Sequence, residues 1–225
     1  MSKLLNTHKN NYESVWLVNQ RNLINNLKKQ PIIIVIRPNL YDIENEIFSP
    51  TINQISNLNS IGIKNIEIAC TPSNKWVSLM RIVCRNFPSN IFGAASVTSN
   101  EAFKTVLQTK VSYSMSPVWN LELQQKAKEA NHVLIPGVLS PSEINCAKAF
   151  GYEILKLFPA SLFGKSYLKK IETPLNPIPF IIASGGINPK EINSWLESGF
   201  NAVALGRSLS NHKDDYLIDW INKNK

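Results

Sequence analysis

Residues 153–161 read EILKLFPAS, from Glu153 to Ser161. In an extended chain successive side chains point to opposite faces, so Ile154, Lys156 and Phe158 share one side and Leu155 and Leu157 the other. A strand apolar on both faces belongs in a parallel sheet covered by helices, where neither face meets water. A lysine at its centre is then exposed at an edge, paired with a charge, or chemically employed.

Working outward from this stretch, seven more runs have the same character: IIIVIR (32–37), NIEIAC (65–70), NIFGAA (90–95), VSYSM (111–115), HVLIPG (132–137), FIIASGG (180–186) and NAVALG (201–206). Between them lie segments with helical spacing of apolar residues, over 54–60, 75–85, 99–108, 121–130, 142–150, 167–171 and 190–198, with 215–222 after the last run. Strand starts recur every 20 to 33 residues or so, the length a βα unit needs. Eight such units predict a closed barrel rather than an open doubly wound sheet. The fold expected is α/β, a single (β/α)8 TIM barrel over residues 31–225. Residues 1–30 form an N-terminal extension that is partly helical. Its first ten residues are polar and expected to lack structure, whereas 11–29 place Val15, Trp16, Val18, Leu23, Ile24 and Leu27 at helical spacing. The connection from Pro38 to Pro50 is expected to be a long loop, and long loops often serve function.

Composition narrows the partners. The formal charge is +8, from 24 Lys and Arg against 16 Asp and Glu, which favours an anionic partner. The basic residues are scattered, without aromatic interleaving and without a zinc-finger or RNP signature, so nucleic acid is not expected. Cys70, Cys84 and Cys146 are an odd number without a CxxC pair, which argues against a disulfide framework and for a reducing cytoplasm. Pro31 to Ile36, the longest apolar run, is too short to span a bilayer, and the Asn- and Lys-rich start lacks a signal peptide's apolar core. A cytoplasmic protein with no membrane partner is expected.

On a barrel of this kind functional residues collect at the C-terminal ends of the strands. Arg37 closes the first strand, Glu67 lies within the second and Lys156 within the sixth. Arg37 shares its face with Ile33 and Val35, and Glu67 shares its face with Ala69 and Thr71. A buried lysine and carboxylate could simply neutralise each other and hold the register. The turns after strands seven and eight point further. Ser184-Gly185-Gly186 and Gly206-Arg207-Ser208 put flexible backbone where such loops commonly bind phosphate, and Asn188-Pro189 has the form of a helix start. Gly164-Lys165-Ser166 resembles the end of a P-loop, but Pro159 occupies the place of its first glycine. His8, His132 and His212 have no metal-ligand spacing, and no metal or cofactor is expected.

These residues resemble the 2-keto-3-deoxy-6-phosphogluconate (KDPG) and 4-hydroxy-2-oxoglutarate (KHG) aldolase family of class I lyases. The segments that carry the resemblance are IIIVIR, GIKNIEI (62–68), GAASV (93–97), SMSP (114–117), LIPGVLSPSE (134–143), LKLFPAS (155–161), ASGGI (183–187) and ALGRS (204–208). They stand in family order over about residues 31–210. The resemblance implies that Lys156 forms a Schiff base with the substrate ketone and that Glu67 moves protons. It places Ser96 near the substrate carboxylate and Pro117 at the pocket wall. Ser184, Gly185, Gly186, Gly206 and Ser208 fall at the site for a distal phosphate or carboxylate, with Arg207 between them. It also implies a barrel that is often a homotrimer and a small anionic keto acid as substrate. Two departures stand out. Thr71 occupies the position of a carboxylate-binding arginine, leaving Arg37 as the candidate to compensate, and GAAS replaces GAGT.

The chemistry such a family performs explains the lysine. Cleaving a carbon–carbon bond beside a hydroxyl leaves an electron pair on carbon, which an iminium made from lysine and a ketone accepts. The amine must be neutral to attack, yet an ordinary lysine titrates near about 10.4. Burial lowers that value. A carbon–carbon lyase is therefore the leading expectation. The alternatives are a phosphosugar epimerase or thiamine phosphate synthase on the same barrel, or a catalytically silent barrel that binds an anionic metabolite or a protein.

Overall fold

The computed structural model describes residues 14–206 and 215–224. The apolar runs become strands β1 (Ile32–Ile36), β2 (Asn65–Ala69), β3 (Ile91–Ala95), β4 (Tyr113–Met115), β5 (Leu134–Ile135), β6 (Gly137–Val138), β7 (Ile154–Leu157), β8 (Phe180–Ser184) and β9 (Ala202–Leu205). All pair in parallel, in the order β5-β4-β3-β2-β1-β9-β8-β7-β6. β5 and β6 are two halves of one stave, separated by Pro136, which has no N–H to give to a ladder. The first half pairs with β4 and the second with β7. Eight staves therefore close the ring, as the eight runs imply.

The two-faced strands build two cores. Ile32, Ile34, Ile36, Ile66, Ile68, Leu155, Leu157, Ile181 and Val203 face outward into the helical layer. Ile33, Met115, Val133, Ile135, Ile154, Phe180, Ile182, Ala202 and Ala204 fill the barrel. The helices that cover the ring begin at side-chain caps. Ser73, Ser99 and Asn120 accept from backbone N–H groups in the first turns of α4 (Asn74–Asn86), α5 (Asn100–Leu107) and α6 (Leu121–Glu129). Ser140 and Glu143 form a reciprocal capping box at α7 (Pro141–Phe150).

Helix α1 (Val15–Lys29) closes the floor, where the strands begin. Leu23, Ile24 and Leu27 join the barrel's inner core, while Val15 and Val18, expected to be apolar contacts, are exposed. Gln20 receives a hydrogen bond from the Glu153 N–H and gives one to the Gly151 carbonyl. Gln30 likewise bridges Gly62 and Lys64. The expected long loop from Pro38 to Pro50 is instead partly helical. It holds α2 (Leu40–Glu44), capped by Asn39, and the start of α3 (Ser49–Ser60). Pro50 marks the first turn of α3 rather than a break, because the N–H that proline lacks has no partner there. Residues 1–10, expected to lack structure, lie outside the described residues. Among the described residues no helix is long and apolar enough to cross a membrane.

Candidate active site

At the C-terminal end of the strands a cavity of about 260 Å3 opens. It gathers Arg37, Glu67, Ser96, Pro117, Lys156, Ser184, Gly185, Gly186 and Gly206, brought together from within or just beyond seven strands by the barrel's closure. Thr71 is not among the lining residues. It lies two residues beyond the end of β2, and alternation holds only while the strand continues. Arg207 and Ser208 lie outside the described residues. Val35, Ala95, Phe158, Ile187 and Ala204 complete the wall. Alternation puts Val35 on the face of Arg37 and Phe158 on that of Lys156; Ala95, Ile187 and Ala204 are apolar core types whose position at the cavity no sequence signal announces.

Lys156 is 7% exposed and Glu67 1%. The ion pairs found among the described residues, Arg21–Glu153, Lys75–Glu46, Lys126–Glu122 and Lys165–Glu191, are all at the surface. Lys156 and Glu67 make no such contact, so a direct neutralising pair is not the reason either is buried. Burial pushes the Lys156 amine below its ordinary range, the Glu67 charge opposes this, and the Arg37 charge adds to it. Burial lifts the Glu67 carboxyl to about 7, opposed by the Lys156 charge, then by the Tyr113 hydroxyl and Arg37. Both groups thus sit nearer neutrality than free side chains do, the condition for a nucleophilic amine and for an acid that can also serve as a base. The Lys156 nitrogen lies 4.9 Å from the centre of the Phe158 ring.

The backbone around them is unusual where the cavity needs it. Ser96 has φ of 64°, a left-handed conformation uncommon outside glycine. Gly185 and Gly186 have φ of 94° and 75°. A methyl group on Gly186 would come within 2.2 Å of the Ser161 hydroxyl, at the start of α8 (Ala160–Phe163). Only glycine lets the turn pack so closely. Asn188 then caps the 3-10 turn Pro189–Glu191 that leads into α10 (Ile192–Glu197). Among the described residues no three His, Cys, Asp or Glu side chains converge as metal ligands. His132, two residues before β5, is held by the Ser114 hydroxyl against Phe103 and does not line the cavity. Burial raises the Cys70 thiol to about 12, which makes it a poor nucleophile. A larger, more open groove of about 650 Å3 runs along α1 at the floor. Of its three cations, Arg21, Lys28 and Lys148, the first and last are engaged by Glu153 and by the Leu175 carbonyl.

The chain that builds this barrel mouth has known relatives. A family model described as KDPG and KHG aldolase matches residues 23–222. The chain belongs to this family. Its curated relatives include the 2-dehydro-3-deoxy-6-phosphogalactonate aldolase of Escherichia coli, 25% identical over 148 residues that make up 66% of this chain and 72% of the relative. The KHG/KDPG aldolase of the same organism is 28% identical over 60% of this chain and 63% of its own length, less than two thirds of that protein. The KDPG aldolase of Legionella pneumophila, a crystal structure with pyruvate captured at low pH as a covalent carbinolamine intermediate, shares the fold. Its TM-score is 0.68 at 23% identity, covering 88% of this chain and 93% of that one. As a member of an aldolase family the chain is a carbon–carbon lyase, in line with the leading expectation from its sequence.

Proposed function

We propose that the protein cleaves a 2-keto-4-hydroxy acid reversibly to pyruvate and an aldehyde through a Schiff base on Lys156. The observation that carries this reading is the placement of the Lys156 amine, buried yet lining the same cavity as Glu67, with no ion pair to hold it charged.

In this reading the neutral amine attacks the C2 carbonyl, and protonated Glu67 supplies the proton with which the hydroxyl departs as water, leaving an iminium and the Glu67 carboxylate. Glu67 as carboxylate takes the proton of the C4 hydroxyl. The C3–C4 bond breaks, its electrons pass into the iminium to make an enamine, and the aldehyde departs. Protonated Glu67 returns its proton to C3, and water releases pyruvate and the free amine. One residue serves as base and then acid because its pKa lies near the working pH. Ser96, Arg37 and Pro117 surround the carboxylate end, and Ser184, Gly185, Gly186, Gly206, Arg207 and Ser208 take the distal phosphate or carboxylate. Arg37 supplies the positive charge that Thr71, an uncharged residue outside the cavity lining, does not. The candidate substrates are 2-keto-3-deoxy-6-phosphogluconate, its galactonate counterpart and 4-hydroxy-2-oxoglutarate, the first two giving glyceraldehyde 3-phosphate and the last glyoxylate.

The same proposal keeps residues 31–225 as the catalytic barrel and 1–30 as an extension, and it includes a cytoplasmic location, which suits three free cysteines. It also includes a homotrimer. Val118, Leu121, Leu139, Leu162 and Phe163 expose apolar surface on loops and helix starts beyond the strand ends, the kind of patch an interface covers.

The test is reductive trapping. Pyruvate with borohydride should convert Lys156 to its N-carboxyethyl derivative, read by peptide mass, and Lys156→Ala should remove the adduct. A pyruvate-release assay over the three candidate acids assigns the substrate. An unmodified wild-type protein that releases no pyruvate sinks the proposal and favours the silent, anion-binding barrel.

A further inference from the structure

Tyr113 has no part in the scheme above, yet it lies against its proton carrier. In the register of the sheet Glu67 pairs with Gly93, and Gly93 pairs with Tyr113. The three stand side by side on β2, β3 and β4. Neighbouring strands are about 4.8 Å apart, so two such spacings separate the backbones of Glu67 and Tyr113. Their side chains meet only over something small. A methyl group on Gly93 would lie 2.6 Å from Cζ of Tyr113 and 3.0 Å from Cγ of Glu67. The glycine is the gap through which they reach one another.

The polar atoms tell the same story. Tyr113 is completely buried. Its hydroxyl and Oε1 of Glu67 are both sealed from solvent, and neither has a conventional hydrogen-bonding partner among the described residues. Buried tyrosine hydroxyls and carboxylates ordinarily find partners. On either side of Gly93, each is the partner that the other lacks.

We propose that Tyr113 is a positioning residue for Glu67: its hydroxyl donates across Gly93 to Oε1, which holds the carboxylate so that its second oxygen faces Lys156 and the substrate. What the second oxygen then does rests on the aldolase reading; the pairing itself does not. Three groups bear on the Glu67 charge: Lys156 from β7, Arg37 beyond β1 and Tyr113 from β4. Burial and the Glu67 charge keep the tyrosine protonated well above neutral pH, so it acts as a donor only. A hydrogen bond given to a carboxylate favours the ionised form.

Tyr113→Phe removes one oxygen and keeps the ring. The Glu67 carboxyl, followed by carbon-13 NMR in the full chain, should titrate at higher pH in the variant. The acidic limb of the kcat–pH profile should move up with it, and kcat at neutral pH should fall about tenfold with KM little changed, the scale of a hydrogen bond to a charged group. The borohydride adduct at Lys156 should persist. Gly93→Ala, which wedges a methyl group between the pair, should shift the titration the same way. An unmoved titration midpoint in Tyr113→Phe overturns the pairing, whatever the activity. A moved midpoint with an unmoved kinetic limb overturns the positioning role. A protein that neither cleaves nor traps, yet whose midpoint moves, overturns the aldolase reading and leaves the pairing standing.

Discussion

The two ends of the barrel treat buried polar side chains in opposite ways. At the floor Gln20 is completely buried, and its amide is used at both ends, accepting from Glu153 and donating to Gly151. At the mouth Glu67 is as deeply buried, but its Oε1 has no conventional hydrogen bond, and Lys156 has no ion pair. A satisfied polar group inside a protein secures the fold, whereas a charged group left short of partners costs stability and is retained where chemistry uses it. Floor and mouth are built from the same strands. Height along the barrel, rather than residue type, separates structural from chemical duty.

That contrast yields predictions, the largest first. Lys156→Met should abolish borohydride trapping and pyruvate release while leaving the fold intact. Because burial lowers the folded pKa of Lys156, the unfolded chain binds the proton more tightly, and at neutral pH the buried amine costs stability. The Met variant should therefore unfold at equal or higher denaturant, by about 1–3 kcal/mol on the scale of buried charges replaced by apolar groups. A clear loss of stability would mean that the lysine is part of the scaffold. Glu67→Gln should reduce kcat by about 10²–10⁴-fold, the usual worth of a positioned acid–base group, with the adduct at Lys156 formed more slowly.

At the floor the order reverses. Leu27→Ala, in a fully buried position, should cost about 2–5 kcal/mol in a denaturation curve, with kcat per folded molecule unchanged. A kcat that fell in step would couple floor to mouth and break the comparison.

The pH dependence of stability sharpens it. Glu67 titrates near 7 in the fold against an ordinary 4.5, so the folded state binds the extra proton and stability falls as pH rises from 4.5 to 7. His132 titrates near 4 in the fold against an ordinary 6.5, so stability falls as pH drops from 6.5 to 4. The two slopes oppose each other where they overlap. Glu67→Gln should remove one of them, making the variant more acid-sensitive than wild type by up to about 3 kcal/mol at pH 4.5, since each pH unit of linkage is worth about 1.4 kcal/mol. Melting curves at pH 4.5, 5.5 and 6.5 would show it. The smallest effect belongs to Arg21→Ala. Its fork onto Glu153 is half exposed, and losing it should cost no more than about 1 kcal/mol.

Much of the site could be read in the chain because a strand with period two at a barrel mouth leaves little freedom. Once EILKLF and NIEIAC are strands, Lys156 and Glu67 must point inward. Thr71 shows where that logic ends, two residues past the last residue of β2, because alternation has no force outside the ladder. The connection from Pro38 to Pro50, expected as a loop, errs in the other direction: it holds α2 and the start of α3, whose first turn accepts Pro50. Tyr113 gave no signal at all. In sequence it is one more aromatic residue in a short apolar run, forty-six positions from Glu67.

By its own pattern the chain determined eight two-faced strands, their helical partners, and an inward-facing lysine and glutamate, because hydrophobic periodicity is a local property that survives without coordinates. Which polar groups find partners was decided only on closure. Register across β2, β3 and β4 sets Gly93 between Glu67 and Tyr113, and α1 seals the floor against residues more than a hundred positions away. Burial and contact are properties of the assembled barrel, and those set the charge on every group at its mouth.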